Sequence, residues 1–599
     1  MKINFVRILI NFLFIIIISC IYRCAKPGII TGGPKDLDPP KMVGSNPEIF
    51  AKNFKGKKVI IDFDEYLQLK NISQQFNVSP PFKKKPLIWL KNKSIVLQYT
   101  DTLKDSTTYT LSFGNGIADN NEGNILPNFE FAFSTGNYID SMCVRGRILD
   151  AFTLKPDKES LLAILYSDLS DSAPYKKIPI YTGRTDKDGY YSINNIKPGT
   201  YKLYALKDNN FNYKYDPSSE AFAFIDSLVI LDAQIISQKL SENHIFPPDT
   251  ARHDTIHKKT LKDSVLINTR KRNSIYLDMF TYSETDKRQF VKDYSRKEKR
   301  RLDLIFNKTL IYDTIFLQPL YFNYSDWYQL EFSPGHDSIF AWITDTILIK
   351  TDTLKTIVQY WGTTKKGDTI WTADTLNFRF AGSELQTKKS KKSKPHKMKL
   401  GFYSHSGTQV DIYDKPYIET DYPIINFDIN KIFLSQKIDS TEKPCLFKLL
   451  QDTINLRRFH VDYKWEEQSN YSLLILPGSF ENIYGINHDT LKTSFSIQKS
   501  DYYGNLSIHL SGVISPIIVQ LLDKDKVVAE KFTSNDGIVT FNFLMPKTYN
   551  LKIVFDNNID NAWTTGDFLN KEQPEKVIFY NGNINIRSNW DVDISWNIK

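Results

Sequence analysis

The chain has 599 residues, which is too long for a single hydrophobic core and predicts several domains. Aromatic residues make up 14% of it and hydrophobic residues 41%, a composition that excludes general disorder and favours half-buried strands over helices. The net charge of +9 is spread over this length, much of it in two short basic runs, so charge alone does not predict a nucleic-acid partner.

The first residues have the pattern of an export signal. Lys2 and Arg7 provide positive charge ahead of the apolar stretch Ile8–Ile18. That stretch has the length of a signal-peptide core and is short for a membrane-spanning helix. The pattern predicts a signal peptide over residues 1–19.

The signal ends at a candidate lipidation site. Ile17-Ile18-Ser19-Cys20 resembles the bacterial lipobox, in which a small residue precedes a cysteine that receives a diacylglyceryl group. Cys24 is the alternative, but Arg23 stands where the signal peptidase needs a small residue. We therefore expect a lipid on Cys20, followed by a Gly- and Pro-rich tether over residues 20–38.

Beyond the tether, short alternating runs recur without sustained helical periodicity. Examples are Lys58–Asp64, Thr108–Phe113 and Asn128–Ser134. Alternation bounded by Asn, Asp, Gly and Pro indicates half-buried strands, and strands at this spacing without intervening helices predict β-sandwiches.

Two segments of the chain recur in the same order. In the first, Tyr109, Gly123 and Phe133 recur 362 residues later as Tyr471, Gly485 and Phe495. In the second, Thr185, Asp188, Gly189, Pro198, Thr200, Tyr201 and Asp208 recur 348 residues later as Thr533, Asp536, Gly537, Pro546, Thr548, Tyr549 and Asp556. Two constant offsets indicate duplication of a pair of modules.

A third copy of the first module is expected between them. Its opening strand, Leu302–Leu310, resembles Val59–Leu67 and Pro423–Lys431, because each runs from apolar residues to Phe and then to Asp or Asn. Polar, basic stretches flank this middle module and are predicted to be linkers.

Three resemblances to known families follow from these motifs. The Ig-like segments resemble the bacterial SbsA-like Ig domain of S-layer proteins, in which a motif such as Asp38-Pro39-Pro40 opens the domain. Thr185–Asp208 resembles the carboxypeptidase-regulatory, prealbumin-like sandwich, from which the second copy departs at Val539 and Lys547. The whole chain is similar to a family of Ig-like outer-membrane lipoproteins, a resemblance that implies architecture and no assigned activity.

The predicted fold class is therefore all-β, with tandem β-sandwich modules behind a lipoprotein signal peptide. The expected domains are an SbsA-like Ig-like domain (39–136), a prealbumin-like domain (141–235), a polar linker (236–272), an Ig-like domain (273–383), a Lys-rich linker (384–399), an Ig-like domain (400–497) and a second prealbumin-like domain (503–599).

Catalytic motifs are not found in the sequence. It has no H-E-x-x-H pair, nucleophile elbow or P-loop. His253 and His257 lie in the polar linker, and Asp62 and Asp64 share one strand face where a glycosidase would need carboxylates across a cleft. We expect a protein that is not an enzyme and requires no cofactor.

Calcium is the one metal that the sequence suggests, in a loop after the P-G-x-Y-x-L strand of one or both prealbumin-like copies. Calcium needs alternating oxygen ligands. The candidates are Asp208, Asn210, Asn212 and Asp216 in the first copy and Asp556, Asn558, Asp560 and Asp567 in the second. Tyr213 stands where glycine is wanted, and Glu220 falls one residue late for the bidentate ligand. The alternative is a polar loop whose Asp and Asn side chains bond their own backbone.

Two further surface patterns have alternative interpretations. Asp followed by Thr and an aliphatic residue resembles an O-glycosylation sequon of exported proteins, but also fits a turn that leads into a strand. It occurs at Asp313-Thr314-Ile315, Asp345-Thr346-Ile347, Asp352-Thr353-Leu354 and Asp374-Thr375-Leu376. The basic run Lys388–Lys399 fits a solvated linker or a contact with anionic lipid.

These patterns predict a binding or scaffolding protein of the cell envelope. We expect it at the outer membrane through its lipid, facing the periplasm because Ile21-Tyr22-Arg23 brings no acidic residues after Cys20. Its other expected partners are an envelope protein or a glycan, and not nucleic acid. A glycan-binding accessory subunit would need an exposed aromatic platform, and a degradative enzyme would need a cleft with converging acidic residues or a metal.

Overall fold

A computed structural model describes residues 35–217, 219–232, 274–321, 326–364, 367–380, 397–404, 407–439 and 441–598. Regular structure in these ranges is almost entirely β-strand, in sheets that are mostly antiparallel, which confirms the predicted all-β class of tandem β-sandwich modules. The helices there are α1 (Ile72–Gln75), α2 (Ala173–Lys176), α3 (Thr346–Lys350) and the 3₁₀ turns Ile429–Lys431 and Ser500–Tyr502. No helix of the described residues is long and apolar enough to cross a membrane.

The described residues divide into two compact units. The first contains those within Met1–Arg147, Lys158–Tyr204 and Ser227–Asp278. The second contains those within Ile148–Asp157, Ala205–Asp226 and Met279–Lys599. The predicted first prealbumin-like domain (141–235) thus contributes residues to both units.

The first Ig-like module is a two-layer sandwich in the first unit. Its strands are β1 (Met42–Asn46), β2 (Lys58–Phe63), β3 (Leu67–Leu69), β4 (Asn77–Ser79), β5 (Leu87–Lys91), β6 (Ser94–Gln98), β7 (Thr108–Ser112), β8 (Ile117–Asp119), β9 (Ile125–Leu126) and β10 (Glu130–Ser134). The sheets run in the orders β1-β2-β6-β5, β10-β7-β4 and β3-β8-β9. Alternation along β2 points Val59, Ile61 and Phe63 into the core, where the ring of Tyr109 stacks on that of Phe133.

The first prealbumin-like module follows. Its strands are β11 (Met142–Asp150), β12 (Leu162–Tyr166), β13 (Tyr181–Arg184), β14 (Tyr190–Ile196), β15 (Gly199–Leu206), β16 (Ala221–Phe224) and β17 (Val229–Leu231). In the first unit, β11 pairs antiparallel with β14, β12 pairs with β13, and β15 pairs with β17.

Two later strands complete the pairing of β11. They are β18 (Ser274–Tyr276) and β19 (Met279–Ser283), and each runs parallel to a different part of β11. A Cβ atom on Gly146 would lie 1.7 Å from the carbonyl oxygen of Leu277, so only glycine permits this approach. Strands β18 and β19, which the sequence assigned to the next Ig-like domain (273–383), therefore pair with the preceding module.

The second Ig-like module lies in the second unit. Its strands are β20 (Val291–Glu298), β21 (Arg301–Phe306), β22 (Ile315–Pro319), β23 (Tyr328–Phe332), β24 (Ser338–Ile343), β25 (Thr353–Thr363) and β26 (Thr369–Arg379). They form two sheets, β20-β21-β24-β23 and β22-β25-β26, over a shared apolar core. Asp345 caps α3, because its carboxylate accepts from the backbone N–H groups of Ile347 and Leu348.

The third Ig-like module repeats the sandwich. Its strands are β27 (Leu400–Tyr403), β28 (Gln409–Val410), β29 (Tyr417–Thr420), β30 (Ile424–Phe427), β31 (Ile432–Ile438), β32 (Thr441–Cys445), β33 (Lys448–Gln451), β34 (Arg458–Asp462), β35 (Asn470–Ile475), β36 (Phe480–Asn482) and β37 (Leu491–Ile497). The sheets are β27-β29-β34-β33, β28-β37-β35-β31-β32 and β30-β36.

The second prealbumin-like module closes the chain. Its strands are β38 (Gly504–Ser511), β39 (Ile517–Asp523), β40 (Lys526–Thr533), β41 (Gly537–Leu544), β42 (Thr548–Phe555), β43 (Val577–Phe579), β44 (Ile584–Asn585) and β45 (Asp591–Asn597). One sheet is β41-β38-β45, in which β45 runs parallel to β38, and the other is β40-β39-β42-β43 with β44 beside β42. The parallel β38–β45 pair corresponds to the pairing of β11 with β18.

Hydrogen bonds repeat at the offsets found in the sequence. The hydroxyls of Tyr109 and Tyr471 accept from the backbone N–H groups five residues upstream, at 2.9 and 3.0 Å. The hydroxyls of Tyr201 and Tyr549 donate to the carbonyl groups four residues upstream, at 2.8 and 3.0 Å. Asp188-Gly189 and Asp536-Gly537 both lie where a turn meets a strand, which supports duplication of the module pair.

Candidate functional sites

Several predicted features lie outside the described residues. They are the signal peptide, Cys20 with its alternative Cys24, most of the tether, the polar linker and most of the Lys-rich linker. The calcium-loop residues, by contrast, are all described.

The first candidate calcium loop folds tightly around Asp208. The two carboxylate oxygens of Asp208 accept from the backbone N–H groups of Asn212 and Tyr213 at 3.0 and 2.9 Å. Phe211 and Tyr213 both have φ near +60°, so Tyr213 adopts the backbone conformation that a calcium loop usually assigns to glycine. The amides of Asn210 and Asn212 converge on one oxygen of Asp216 at 2.7 and 3.2 Å. All four predicted residues are therefore brought together.

Glu220 ties the two ends of this loop together. Its carboxylate accepts from the backbone N–H groups of Asn209 and Asp216 at 2.9 and 3.1 Å. The residue is only 2% exposed, and burial raises the pKa of its carboxyl group. The sequence pattern, which placed Glu220 one residue late for a ligand, did not indicate this structural role.

The second loop has the same backbone arrangement. The carboxylate of Asp556 accepts from the N–H groups of Asp560 and Asn561 at 3.2 and 3.0 Å. Ile559 and Asn561 have φ values of +61° and +60°. Asn558 bonds Asp560 at 3.0 Å, so three of the four predicted residues meet here.

Asp567, the fourth predicted residue, is placed elsewhere. Its carboxylate pairs with Lys287 at 2.8 Å and accepts from the N–H of Asn570 at 3.0 Å. Burial is the largest single effect and raises the pKa of Asp567, but the hydrogen bond and charge of Lys287 together with backbone N–H groups outweigh it and lower that pKa. Glu575 instead ties the loop, accepting from the N–H groups of Asn557 and Thr564 at 2.7 and 2.9 Å.

An inserted segment explains why the sequence spacing was misleading. Between Thr564 and Glu575 the chain extends to Phe568, whose ring packs 4.9 Å from that of Phe222. Gln573 donates to the carbonyl of Phe224 at 3.1 Å. The additional residues that make this contact lengthen the loop. The acidic residue that closes the loop therefore comes later in the sequence than the spacing of the first copy predicts. Among the described residues no group of three or more His, Cys, Asp or Glu is arranged to hold a metal ion, and calcium binding stays a prediction.

The first Ig-like and first prealbumin-like modules join through buried polar side chains. Thr182 donates from its backbone to Ser79 at 3.1 Å and from its hydroxyl to Asn77 at 3.0 Å. Asn195 donates to Thr110 at 2.8 Å, and Asn194 donates to both oxygens of Glu130 at 2.9 Å. Such buried groups are costly unless each has a partner, so the joint accepts one arrangement of these side chains.

The second and third Ig-like modules join through a buried ion pair. Glu331 is 2% exposed and accepts from the indole N–H of Trp342 at 2.8 Å. Arg457 donates to both carboxylate oxygens of Glu331 from its Nε, at 2.9 and 3.0 Å. Trp342 itself packs in the apolar core of the third Ig-like module. Removing one member of a buried ion pair leaves the other charge buried without a partner, which typically lowers stability by about 3–5 kcal/mol.

Two other contacts fasten this part of the chain. The hydroxyl of Tyr484 donates to the carbonyl of Ile343 at 2.9 Å, and the guanidinium of Arg300 lies 4.5 Å from its ring centre. The hydroxyl of Tyr503 donates to Asp411, and burial raises the Tyr503 pKa well above its usual range. These contacts join adjacent modules directly through their side chains.

The four Asp-Thr-aliphatic sites share an exposed threonine. Thr314, Thr346, Thr353 and Thr375 are all accessible, and each is followed by an aliphatic residue. The neighbouring Asp345 is used as a helix cap, which is the structural alternative at that site. O-glycosylation stays a prediction at these positions.

Two parts of the chain match known protein families. Residues 36–135 match the bacterial Ig-like domain, and residues 162–217 match domain II of polysaccharide lyase family 4. The first module is therefore a bacterial Ig-like domain. No curated protein matches the chain.

Among solved structures, the matches are distant. The major pilin subunit BcpA of Bacillus cereus is 8% identical, with 76% of this chain and 99% of that chain covered and a TM-score of 0.14. The S-layer protein rSbsC(31-844) is 10% identical, with 91% and 67% covered and a TM-score of 0.13. The N-terminal four Ig domains of Dscam1 isoform 1.9 are 6% identical, with 76% and 99% covered and a TM-score of 0.16. Scores this low support no inference about arrangement or function.

Proposed function

We propose that this chain is a non-catalytic lipoprotein of the cell envelope, anchored by a lipid on Cys20 at the outer membrane and facing the periplasm. Its sandwich modules serve as a scaffold that presents binding surfaces away from the bilayer. Several acyl chains on one cysteine would suffice for stable anchoring, where a single chain is marginal.

The docking of neighbouring modules supports the scaffolding role. At the joint between the second and third Ig-like modules, the buried carboxylate of Glu331 accepts from both Trp342 and Arg457, and the Arg457 side chain is only 16% exposed. Modules joined only by linkers would move independently, whereas buried, mutually satisfied side chains hold one arrangement. A chain built in this way suits a spacer or presenting arm.

Replacement of the two cysteines tests the anchor. Cells producing Cys20→Ala are compared with cells producing Cys24→Ala, which serves as the matched control. We expect Cys20→Ala to lose labelled palmitate and leave the membrane fraction, and Cys24→Ala to keep both. Protease added to intact cells should leave the wild-type chain uncut if it faces the periplasm.

Other outcomes would change the proposal. If Cys24→Ala loses the label and Cys20→Ala keeps it, the lipid is on Cys24. Retention in membranes by both variants without palmitate would overturn lipid anchoring, and cleavage in intact cells would place the chain on the cell surface.

A glycan-binding accessory subunit is the second candidate. The observation in its favour is the match of residues 162–217 to a domain of polysaccharide lyases. Saccharide binding by the chain purified without its lipid would separate this role from scaffolding alone.

A further inference from the structure

A cleft of 280 Å³ opens at one end of the second prealbumin-like module. Strands β38 and β45 run parallel and begin at this end, while the antiparallel β41 finishes there. The cleft is lined by aromatic and polar side chains, among them Asp501, Asn505, Phe543, Asn589, Trp590 and Asp591. The topology thus gathers residues that are up to 90 positions apart in the sequence.

A β-bulge displays Phe543 in this cleft. In the register, Gly504 opposes Leu544 and Leu506 opposes Phe541, so Asn542 and Phe543 together oppose the single residue between. Phe543 has φ +55°, a left-handed conformation that costs a non-glycine residue about 1–2 kcal/mol. The residue is 42% exposed, and its ring lies 6.0 Å from that of Tyr503 and 6.2 Å from that of Tyr413, so one side of the ring is packed and the rest faces the cleft. Bulges commonly redirect a side chain next to a functional site.

Asn505 holds the three strands of the cleft in place. Its side-chain oxygen accepts from the backbone N–H of Phe543 at 3.1 Å, and its amide donates to Asp591 at 2.7 Å. Its own backbone N–H donates to the carbonyl of Trp590 at 3.0 Å. The backbones of Phe543 and Trp590 are therefore both held by hydrogen bonds to one residue, Asn505.

Trp590 is the most exposed aromatic side chain of the cleft, at 57%. The guanidinium of Arg587 lies 5.1 Å from its ring centre. The loop that carries it passes close over Gly504, where a Cβ atom would lie 2.5 Å from the carbonyl oxygen of Arg587. A large exposed ring on a positioned loop offers a stacking surface.

We propose that this cleft binds a neutral saccharide. The C–H groups on one face of a pyranose are weakly positive and pack on the negative face of an aromatic ring such as Trp590. Its hydroxyl groups can donate to the Asp501 and Asp591 carboxylates and accept from the Asn589 amide. Those carboxylates disfavour a phosphate or an acidic sugar, and Arg587 beside the ring disfavours a small organic cation.

This inference deepens the proposed binding role and assigns it a ligand class. It does not depend on the lipid anchor, because saccharide binding is measured in solution and anchoring is measured by palmitate uptake. Failure of one therefore leaves the other standing.

The test uses the otherwise full chain carrying Cys20→Ala, with cellotetraose, maltotetraose and chitotetraose as probes. Saturation-transfer NMR detects weak contacts, and calorimetry gives the affinity. We expect at least one tetrasaccharide to bind and Trp590→Ala to weaken it about tenfold or more, the effect of losing roughly 1.4 kcal/mol of ring contact.

Two further variants distinguish binding in the cleft from nonspecific binding to exposed aromatic rings. Trp371→Ala removes a ring that is 41% exposed on β26 of the second Ig-like module and should leave binding unchanged. Phe543→Gly keeps the backbone conformation of the bulge, since glycine adopts positive φ freely, and should lose affinity while the fold persists.

The proposal is overturned if none of the three tetrasaccharides binds, or if Trp371→Ala weakens binding as much as Trp590→Ala. Binding of tetramethylammonium that displaces the saccharide would reassign the cleft to an organic cation.

Discussion

The two prealbumin-like modules contain the same β-bulge, and its surroundings differ. In the first, Asn194 and Asn195 oppose one residue of β11, and Asn195 has φ +58°. In the second, the residue 348 positions later is Phe543, with φ +55°. Asn195 is 6% exposed and bonds Thr110 of the neighbouring Ig-like module, whereas Phe543 is 42% exposed.

The same β-bulge therefore serves two different roles in the two copies. Asparagine adopts the left-handed conformation at small cost, and its amide suits a buried joint between modules. Phenylalanine is poorly suited to that conformation, and its ring lies 6.0 Å from that of Tyr503 and 6.2 Å from that of Tyr413 while the residue stays 42% exposed. One copy uses the bulge in a buried polar joint, and the other uses it to hold a partly exposed aromatic ring.

Replacing these two residues should change stability by very different amounts, and the difference is the largest effect we expect. Asn195→Ala removes the hydrogen bond to the buried hydroxyl of Thr110 and puts alanine in a left-handed conformation. We expect the free energy of unfolding to fall by about 3 kcal/mol. Phe543→Gly relieves the backbone strain at positive φ and should lower the free energy of unfolding by less than about 1 kcal/mol.

Hydrogen exchange of the flanking strands measures both local effects. We expect much faster exchange in β14 for Asn195→Ala and little change in the exchange of β41 for Phe543→Gly. Equal losses at the two bulges would show that both are structural and would remove the contrast between them.

A second contrast between the copies concerns a position on the strand before the loop. Tyr204 in the first copy corresponds to Lys552 in the second, and both are buried. The ammonium of Lys552 lies 2.9 Å from the ring centre of Phe152, and burial lowers its pKa to about 8.

This lowered pKa makes stability depend on pH. Between about pH 8 and the unfolded-chain pKa of about 10.4, the folded state binds fewer protons than the unfolded state does. Stability should therefore rise with pH across this window.

Lys552→Met should raise the melting temperature at pH 7, and the gain should shrink by pH 10, where the wild-type lysine is neutral in the folded state. Calorimetric scans at pH 7, 8.5 and 10 provide the measurement. Lys531→Met, on the exposed strand β40, is the control and should show no such pH-dependent gain. A gain from Lys552→Met that is the same at all three pH values would contradict the lowered pKa.

The smallest expected effect is that of calcium on the paired loops. Asp208 and Asp556 hold corresponding loops through the same two backbone bonds, so we predict one calcium ion in each. In calorimetry of the full chain, Asp208→Ala and Asp556→Ala should each remove part of the binding heat. Asp567→Ala should leave it unchanged, because that carboxylate faces Lys287.

The calcium prediction fails if the wild type gives neither heat nor a calcium-dependent rise in melting temperature, which would leave both loops as plain turns. Loss of binding in Asp567→Ala alone would restore the ligand assignment made from sequence spacing.

Local patterns were sufficient to predict the strands and the repeat. Alternation identified Lys58–Asp64 as a strand with one buried face, because side chains in a strand alternate between two faces. The constant offset between Tyr201 and Tyr549 predicted two matching modules, and in both of them this hydroxyl donates to the carbonyl group four residues upstream. These features depend on residues close together in the sequence, and so the sequence determined them.

Only the tertiary structure decided which of these elements meet. Spacing selected Asp567 for the second loop, but packing of Phe568 against Phe222 displaced it, and Glu575 closes the loop. β18 joins β11 across residues 151–273, and nothing in its three residues specifies that partner. Likewise only the tertiary structure shows the bulge that the two modules share, and packing leaves Asn195 6% exposed and Phe543 42% exposed, because burial depends on long-range contacts that local periodicity does not encode.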